Sequence, residues 1–501
     1  MNDAEFDDLL QKSLPGPPPD DVARETTPWG SAMSCVLVGL ALSALTLNFW
    51  NLNYILPAVG LVLMLLGFRS LRRENGWFSA CLILSVLRLA CLLPLLVLNA
   101  AACWRIALGA LSTVLSVVST VALFALLFCL WNGLKAVKRS VGLPATAGAA
   151  AALMVWFLLI FVLVYLGFNG TVAAIAMLVA YVLILRALFK LSGALDEAGY
   201  AIHPAPVRVS DRAVVLILLA LLVAGTVCGC LFGASFPMEW TARQTAETAE
   251  VTEIKAQLLD LGFPEDVLGD LTEEDILGCK GALQVVTVTR DHPVNDGREV
   301  TTHNANITST RTVFDVEELR VTSVGVQLPG EREEWKLFHH FRFVADPGFY
   351  GTESIQLWPA DRMNEGWIGM GGFTGQLLYD RDGQTYTAPY YSLGKEVYPS
   401  NSPLWGSQTS TDVFADFSLP NDGAEKRGYV SYSIKVLQSG YIVDSWINYT
   451  HQTSWLQYPA KTAKEARMAG VWNGGGVFRT AQDALQFYPS EEGAEVIGAG
   501  G

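Results

Sequence analysis

Residues 213–234 read AVVLILLALLVAGTVCGCLFGA, twenty-two residues without a charge, preceded by Asp211 and Arg212 and followed by a long acidic, aromatic stretch. A helix needs about 20 mostly apolar residues to cross a bilayer, so this run is long enough to span. Upstream lie six more apolar runs: Met33 to Phe49, Asn53 to Phe68, Trp77 to Leu98, Ile106 to Trp131, Ala145 to Phe168 and Thr171 to Lys190. The first two are short and separated only by Trp50, Asn51 and Leu52, so they form either a tight helical hairpin or a re-entrant element. About seven spans are therefore expected, and nothing comparable follows Ala234.

Basic residues orient this array, because Lys and Arg near membrane segments are retained on the cytoplasmic side. Arg69, Arg72 and Arg73 follow the second run; Lys135, Lys138 and Arg139 follow the fourth; Arg186, Lys190, Arg208 and Arg212 surround the gap before the seventh. The opposite gaps hold only Arg105. The N-terminus is thus expected inside and everything beyond residue 235 outside the cytoplasm.

Four regions follow. Residues 1–30 form an acidic, Pro-rich cytoplasmic tail, 31–234 a transmembrane helical domain, 235–282 a helical membrane-proximal subdomain and 283–501 a β-rich extracytoplasmic domain. The tail carries Pro15, Pro17, Pro18 and Pro19 beside Asp20 and Asp21, after a helix-compatible stretch in which Phe6, Leu9 and Leu10 share a face. It reads as a solvated tail, with a docking peptide for a cytoplasmic protein as the alternative. The chain's formal charge is −14, and the region beyond residue 234, with 37 acidic and 20 basic residues, by itself carries −17. Such a domain repels nucleic acid and anionic lipid or polymer, so no nucleic-acid partner is expected, while neutral glycans, cations and basic peptides remain.

Of eight cysteines, only Cys279 lies away from the apolar runs, which leaves the outer domain without an internal disulfide and suits a bacterial surface. The sequons at Asn306 and Asn448 are then chance matches, and no separate cleavable signal peptide precedes the first run.

Within the runs there is no Asp or Glu, which disfavours a proton-coupled transporter and leaves an uncoupled one. Arg88 is the one charge set deep in a run, roughly 15 Å in, and is either a functional group or a snorkelling side chain. Gly225, Gly229 and Gly233 recur every fourth residue and clear a helix face for close packing, inside the bundle or in a homo-oligomer.

Past residue 245, Val251, Ile254, Leu258 and Leu261 have helical spacing, Gly262 to Pro264 break it, and Thr272 with Asp275 caps a further short helix. From Leu283 the period becomes two. Strands are expected at Leu283–Arg290, Ile307–Phe314, Leu319–Leu328, Trp335–Ala345, Ser354–Trp358, Phe373–Tyr379, Gln384–Tyr390, Val413–Leu419, Tyr429–Leu437 and Tyr441–Tyr449. Asp-Gly and Ser-Gly pairs at 296, 382, 422 and 439 supply turns, and a short helix near Thr462 to Met468 precedes a Gly-rich tail. The pattern is that of an antiparallel β-sandwich or jelly-roll-like domain.

Residues 235–501 hold eight Trp and twelve Tyr. Trp358, Trp367 and Trp405 sit among Pro359, Gly366, Gly369, Pro403 and Gly406, so they are read as exposed loop aromatics and ligand-binding candidates. His339 and His340 alternate on one strand and point to opposite faces, a poor metal arrangement. Asp380 and Asp382 before Gly383 match half a calcium loop but equally a hairpin turn. No nucleophile motif, phosphate loop or zinc spacing occurs, and neither cofactor nor metal is expected.

The segments TPWGSAM (27–33), LTLNFWNLNYILPAVG (45–60), GFRSLRREN (67–75), LGFPEDVLGDLTEEDI (261–276) and DSWINYTHQTSWLQYP (444–459) resemble an uncharacterised family of polytopic membrane proteins of anaerobic Gram-positive bacteria. The resemblance spans nearly the whole chain and implies a bacterial plasma membrane, but it brings no activity or catalytic residues. The expectation is a multi-domain membrane protein whose outer β domain binds a glycan or peptide of the envelope, as a sensor or scaffold. A membrane-anchored carboxylate-dependent glycan hydrolase and an uncoupled transporter component are the alternatives.

Overall fold

The computed structural model describes residues 28–44, 49–168, 170–203, 205, 208–244, 247–304, 307–360, 366–402, 406–438, 440–470, 476–490 and 493–497. Two compact units divide the chain: residues up to 99 with 107–227, and residues 100–106 with 228–501.

The first unit is helical. Helices α1 (Pro28–Ala44), α2 (Leu52–Leu71), α3 (Gly76–Ala100), α4 (Ala102–Ala107), α5 (Gly109–Ser140), α6 (Gly148–Tyr165), α7 (Thr171–Glu197) and α8 (Asp211–Phe232) follow in chain order, of which α4 up to Ile106 and the last residues of α8 fall in the second unit. Among the described residues six of these, α2, α3 and α5 to α8, are long and apolar enough to cross a membrane. The first apolar run gives only the 17-residue α1, so six helices meet the length where about seven spans were expected.

Helices α1 and α2 pack as a close pair. A Cβ on Gly39 would stand 2.5 Å from the Gly60 carbonyl oxygen, and one on Gly60 would stand 2.5 Å from that of Gly39. Close backbone approach of this kind is how helices associate where water drives nothing together. Val36 of α1 meets Gly67 of α2, where a Cβ would stand 2.6 Å from its Cγ2; Trp29, Met33 and Leu40 are also buried, and the Tyr181 hydroxyl of α7 donates to the Leu40 carbonyl at 2.7 Å. By contrast, only 11% of the apolar window of α7 and 6% of that of α8 are buried within the protein. Such continuous apolar surface has to be covered by something other than water, and lipid is the partner that fits.

The second unit opens with short helices α9 (Ala249–Asp260), α10 (Glu265–Asp270) and α11 (Glu273–Leu277). Thr248 and Thr272 cap α9 and α11 through their side-chain oxygens. Val251, Ile254, Leu258 and Ile276 pack on Val324, Val326, Phe338 and Tyr429. Two carboxylates fix these turns to the sheet beneath. Asp275 meets Lys336 Nζ at 2.8 Å and accepts from the Tyr429 hydroxyl at 2.6 Å. Asp270 meets His340 Nε2 and Arg427 Nε, each at 2.9 Å. Burial works against both charges, yet these partners hold each carboxyl below its usual range.

Two antiparallel sheets and a hairpin complete the unit. The first sheet runs β1 (Thr241–Ala242), β10 (Gln384–Ala388), β9 (Thr374–Arg381), β13 (Ala424–Val436), β6 (Glu334–Phe343), β5 (Leu319–Leu328), β2 (Gln284–His292), with β8 (Trp367–Gly369) also on β13. The second runs β11 (Ser392–Ser402), β12 (Gly406–Phe417), β7 (Glu353–Trp358), β14 (Val443–Gln452), β15 (Phe478–Tyr488), β16 (Glu495–Val496). β3 (Arg298–Asn304) and β4 (Ile307–Val313) pair only with each other. One hydrophobic cluster draws on both large sheets, with Trp335, Leu337, Phe341 and Val430 from the first and Ile355, Phe417, Ile447, Leu485 and Phe487 from the second.

All ten expected strands are present in outline, but β1, β3, β8, β11, β15 and β16 were not foreseen. The Asp382-Gly383 pair closes the β9–β10 hairpin, with φ of 54° and 76° and Arg381 opposite Gln384. Asp422-Gly423 instead links β12 to β13, which lie in different sheets. Helix α12 (Ala463–Met468) has a full capping box between Thr462 and Glu465 and contacts β7, β11, β12 and β14.

Candidate functional site

Alternation along β7 and β14 decides which side chains leave the core. Ile355, Leu357, Ile447 and Tyr449 point into it, which turns Gln356, Trp358, Trp446 and Asn448 to the outer face. The register sets Trp446 opposite Trp358 and Asn448 opposite Gln356, and Gln482 of β15 stands opposite Asn448. Trp358 and Trp446 stack with ring centroids 5.3 Å apart and an interplanar angle of 20°; both are half-buried.

Beside them runs a ladder of amides. The Asn448 amide donates to Gln356 Oε1 and accepts from Gln482 Nε2, both at 2.9 Å. Turned over, its oxygen lies 2.8 Å from Trp358 Nε1. Arg467 of α12 donates to Gln356 Oε1 at 2.6 Å. Gln356 Nε2 donates to Asp412 at 2.7 Å, and Asp412 also accepts from the Tyr398 hydroxyl at 2.6 Å. Burial, then the Asp412 carboxylate, push the Tyr398 hydroxyl up, and burial pulls Arg467 down. Next to this network, Lys464 of α12 joins Glu396 to Asp416. Gln356 and Asn448 are buried, so the face offers a ligand the flat aromatic pair bordered by half-buried Gln482, Arg467, Tyr398 and Asp412, which can stack on an apolar ring face while hydrogen-bonding its rim.

Of the three tryptophans singled out from sequence, only Trp358 belongs to this face. Trp367 corrects its expectation: it is 1% exposed, within the core cluster, and pairs with Val436 as part of β8. The glycines around it serve close packing rather than a loop, since a Cβ on Gly369 would stand 2.5 Å from the Ala360 carbonyl oxygen. A side chain so enclosed offers no surface to a ligand. Trp405 lies outside the described residues. Sequence reasoning missed Trp446, Asn448 and Gln482, although the outward parity of SWINYT, with Trp446 and Asn448 two apart, carried the signal. Asn448 is buried on β14, so its sequon is closed to glycosylation in the folded protein. Asn306 lies outside the described residues.

Elsewhere in the β unit, His339, His340 and His451 are enclosed. His339 bridges Ser323 and Ser445 at 2.8 and 2.6 Å inside the core, while His340, on the opposite face, meets Asp270. Glu353 and His451 pair at 2.8 Å with neither side chain exposed, and burial raises the Glu353 carboxyl. Among the described residues no three His, Cys, Asp or Glu side chains gather as metal ligands. An open cavity of about 530 Å³ at the end of β2 and β5 is lined by Gln284, Gln327, Glu331, Arg332 and Glu333, and contains none of the sequence candidates.

In the helical unit, Arg88 of α3 is buried, with Nε and Nη1 lacking hydrogen-bond partners among the described residues. Gly225 faces Val97, where a Cβ would approach Cγ2 to 2.6 Å. In the β unit, Gly229 is buried and Gly233 faces Ala101 and Trp104.

No family model matches the chain, and no curated protein matches it in sequence. Among solved structures, a chain described as a pore forming protein aligns at a TM-score of 0.17 and 5% identity, over 38% of this chain and 95% of that one. A likeness this weak carries no argument about fold or function.

Proposed function

We propose that this is a multi-pass protein of a bacterial plasma membrane, N-terminus inside, whose outer β-sandwich binds a neutral envelope glycan on the Trp358–Trp446 face. The orientation rests on the basic gaps and is supported within each unit. In the helical unit, Arg69 pairs with Asp211 at 3.0 Å, and Glu74 accepts from the Tyr200 hydroxyl and the His203 N–H, so two basic gaps share one end. In the β unit, residues 100–106, which carry the Arg105 of the opposite gaps, belong with residues 228–501.

The stacked pair beside the amide ladder is the observation that carries the ligand. Aromatic faces cover the C–H side of a sugar, and the half-buried Gln482 amide and Asp412 carboxylate supply donor and acceptor groups for its hydroxyls. The acidic excess of the domain favours an uncharged ligand. Full-length protein in nanodiscs, applied to a glycan array, should bind, and Trp446→Ala should weaken binding about 10- to 100-fold, the loss of an anchor residue. Absence of glycan binding, or binding indifferent to both Trp358→Ala and Trp446→Ala, sinks the reading. Release of reducing sugar by the same sample would favour the hydrolase alternative.

A further inference from the structure

We propose that the loop from Thr453 to Lys461 is an interfacial anchor that sets Trp455 and Leu456 into the outer surface of the lipid bilayer. This rests on α3 crossing the membrane. Leu456 is 73% exposed, the most exposed large apolar side chain of the described β-unit residues, and adjacent Trp455 is 57% exposed. Both stand on a built loop rather than a loose one. Leu456 N–H donates to Ser454 Oγ at 3.2 Å, Gln457 N–H to the Trp455 carbonyl at 2.9 Å, and Lys461 N–H to Gln457 Oε1 at 2.9 Å. At the base, Gln452 Oε1 accepts from the Thr352 hydroxyl, which in turn accepts from the Ala463 N–H. The loop therefore presents two apolar side chains at a fixed apex.

Its position relative to lipid follows from the β unit's own contacts. Helix α3 ends at Ala100 and α5 begins at Gly109, so the short link between them, with α4, has to lie at the bilayer surface. Arg105 of that link pairs with Glu465 of α12 at 2.6 Å, which brings the first turn of α12 to headgroup depth. The loop runs directly into the Thr462 cap of that helix. Even fully extended, the seven steps from Trp455 to Thr462 reach only about 25 Å. Tryptophan prefers this zone, where its ring meets acyl chains and its N–H meets headgroups and water. A paired Trp and Leu exposed at a membrane-proximal apex match lipid better than solvent.

The test uses full-length protein in nanodiscs of phosphatidylglycerol and phosphatidylcholine, with and without bromine on the acyl chains near the headgroup. Trp455 is one of fourteen tryptophans, so its emission is read as the difference between wild type and Trp455→Phe, a change that keeps the apex apolar. Brominated lipid should cut that difference signal at least twofold, while aqueous iodide should leave it nearly unchanged. Quenching by iodide and not by bromine would place Trp455 in water and overturn the anchor. Protection from both would assign the apex to a protein surface, such as a second copy, and overturn it equally. Failure of the protein to enter discs at all would overturn the membrane reading itself, an outcome distinct from the other two.

Discussion

Trp367 and His339 show how neighbours set what a residue does. Trp367 carries the sequence surroundings of a loop aromatic and the burial of a core one, with Nε1 lacking a partner among the described residues. Trp367→Ala should destabilise the β unit by about 3–5 kcal/mol, the cost of truncating a buried aromatic, read as a lowered denaturant midpoint with glycan affinity unchanged at saturating folded protein. His339 is fully buried between hydroxyls, and burial pulls its pKa down to about 4. Unfolded histidine titrates near 6.5, so as pH falls the unfolded chain takes the proton first. The stability present above about pH 6.5 should therefore drain between about 6.5 and 4, by up to roughly 3 kcal/mol. His339→Gln should flatten the thermal midpoint over that window. A variant with the same slope as wild type would remove His339 as the cause. The carboxyls of Asp270, Asp275 and Asp483, held below their usual range, act lower still.

Among the elements, the edge strands and the unit boundary departed most from expectation. The start of the β domain lies earlier than the helical lead-in suggests. Thr241 and Ala242 add strand β1 to β10, Trp240 packs edge-on against Tyr379 at 4.8 Å, and Phe236 stacks on Tyr391 at 4.4 Å. A soluble fragment beginning at Ser235 should therefore melt higher than one beginning at Arg243, which lacks both rings. Equal melting temperatures would mean that this segment contributes nothing to the fold. Strand β15 escaped notice because TAQDALQ reads as helix, with Ala and Leu favouring it. Its place between β14 and β16, with Leu485 and Phe487 in the core, overrides that propensity.

For the whole molecule, the topology is the prediction of widest reach. A reporter fused after Ser140 should be active only in the cytoplasm and one at the C-terminus only outside. Labelling of a Ser140 tag by an impermeant reagent in intact cells would invert the arrangement. The interfacial loop adds a second requirement, since an anchored β unit has to lie on the side to which Ala100 and Phe232 emerge.

What the sequence determined by itself were the features that depend on local composition and period. The apolar runs, the change from period 3.6 to two at Leu283, the cap at Thr272, the short helix near Thr462 and the Asp382-Gly383 hairpin are all written in residues close together in the chain, where each residue's preference acts on its immediate neighbours. The opposed directions of His339 and His340 follow from the same alternation. The pairing of Trp358 with Trp446, the burial of Trp367, the joining of Gly39 to Gly60 and the link from Arg105 to Glu465 were decided only by the tertiary structure. Each depends on residues from 21 to 360 positions away, and strand order, which brings such residues together, is set by which faces can share one core rather than by any segment's own preference.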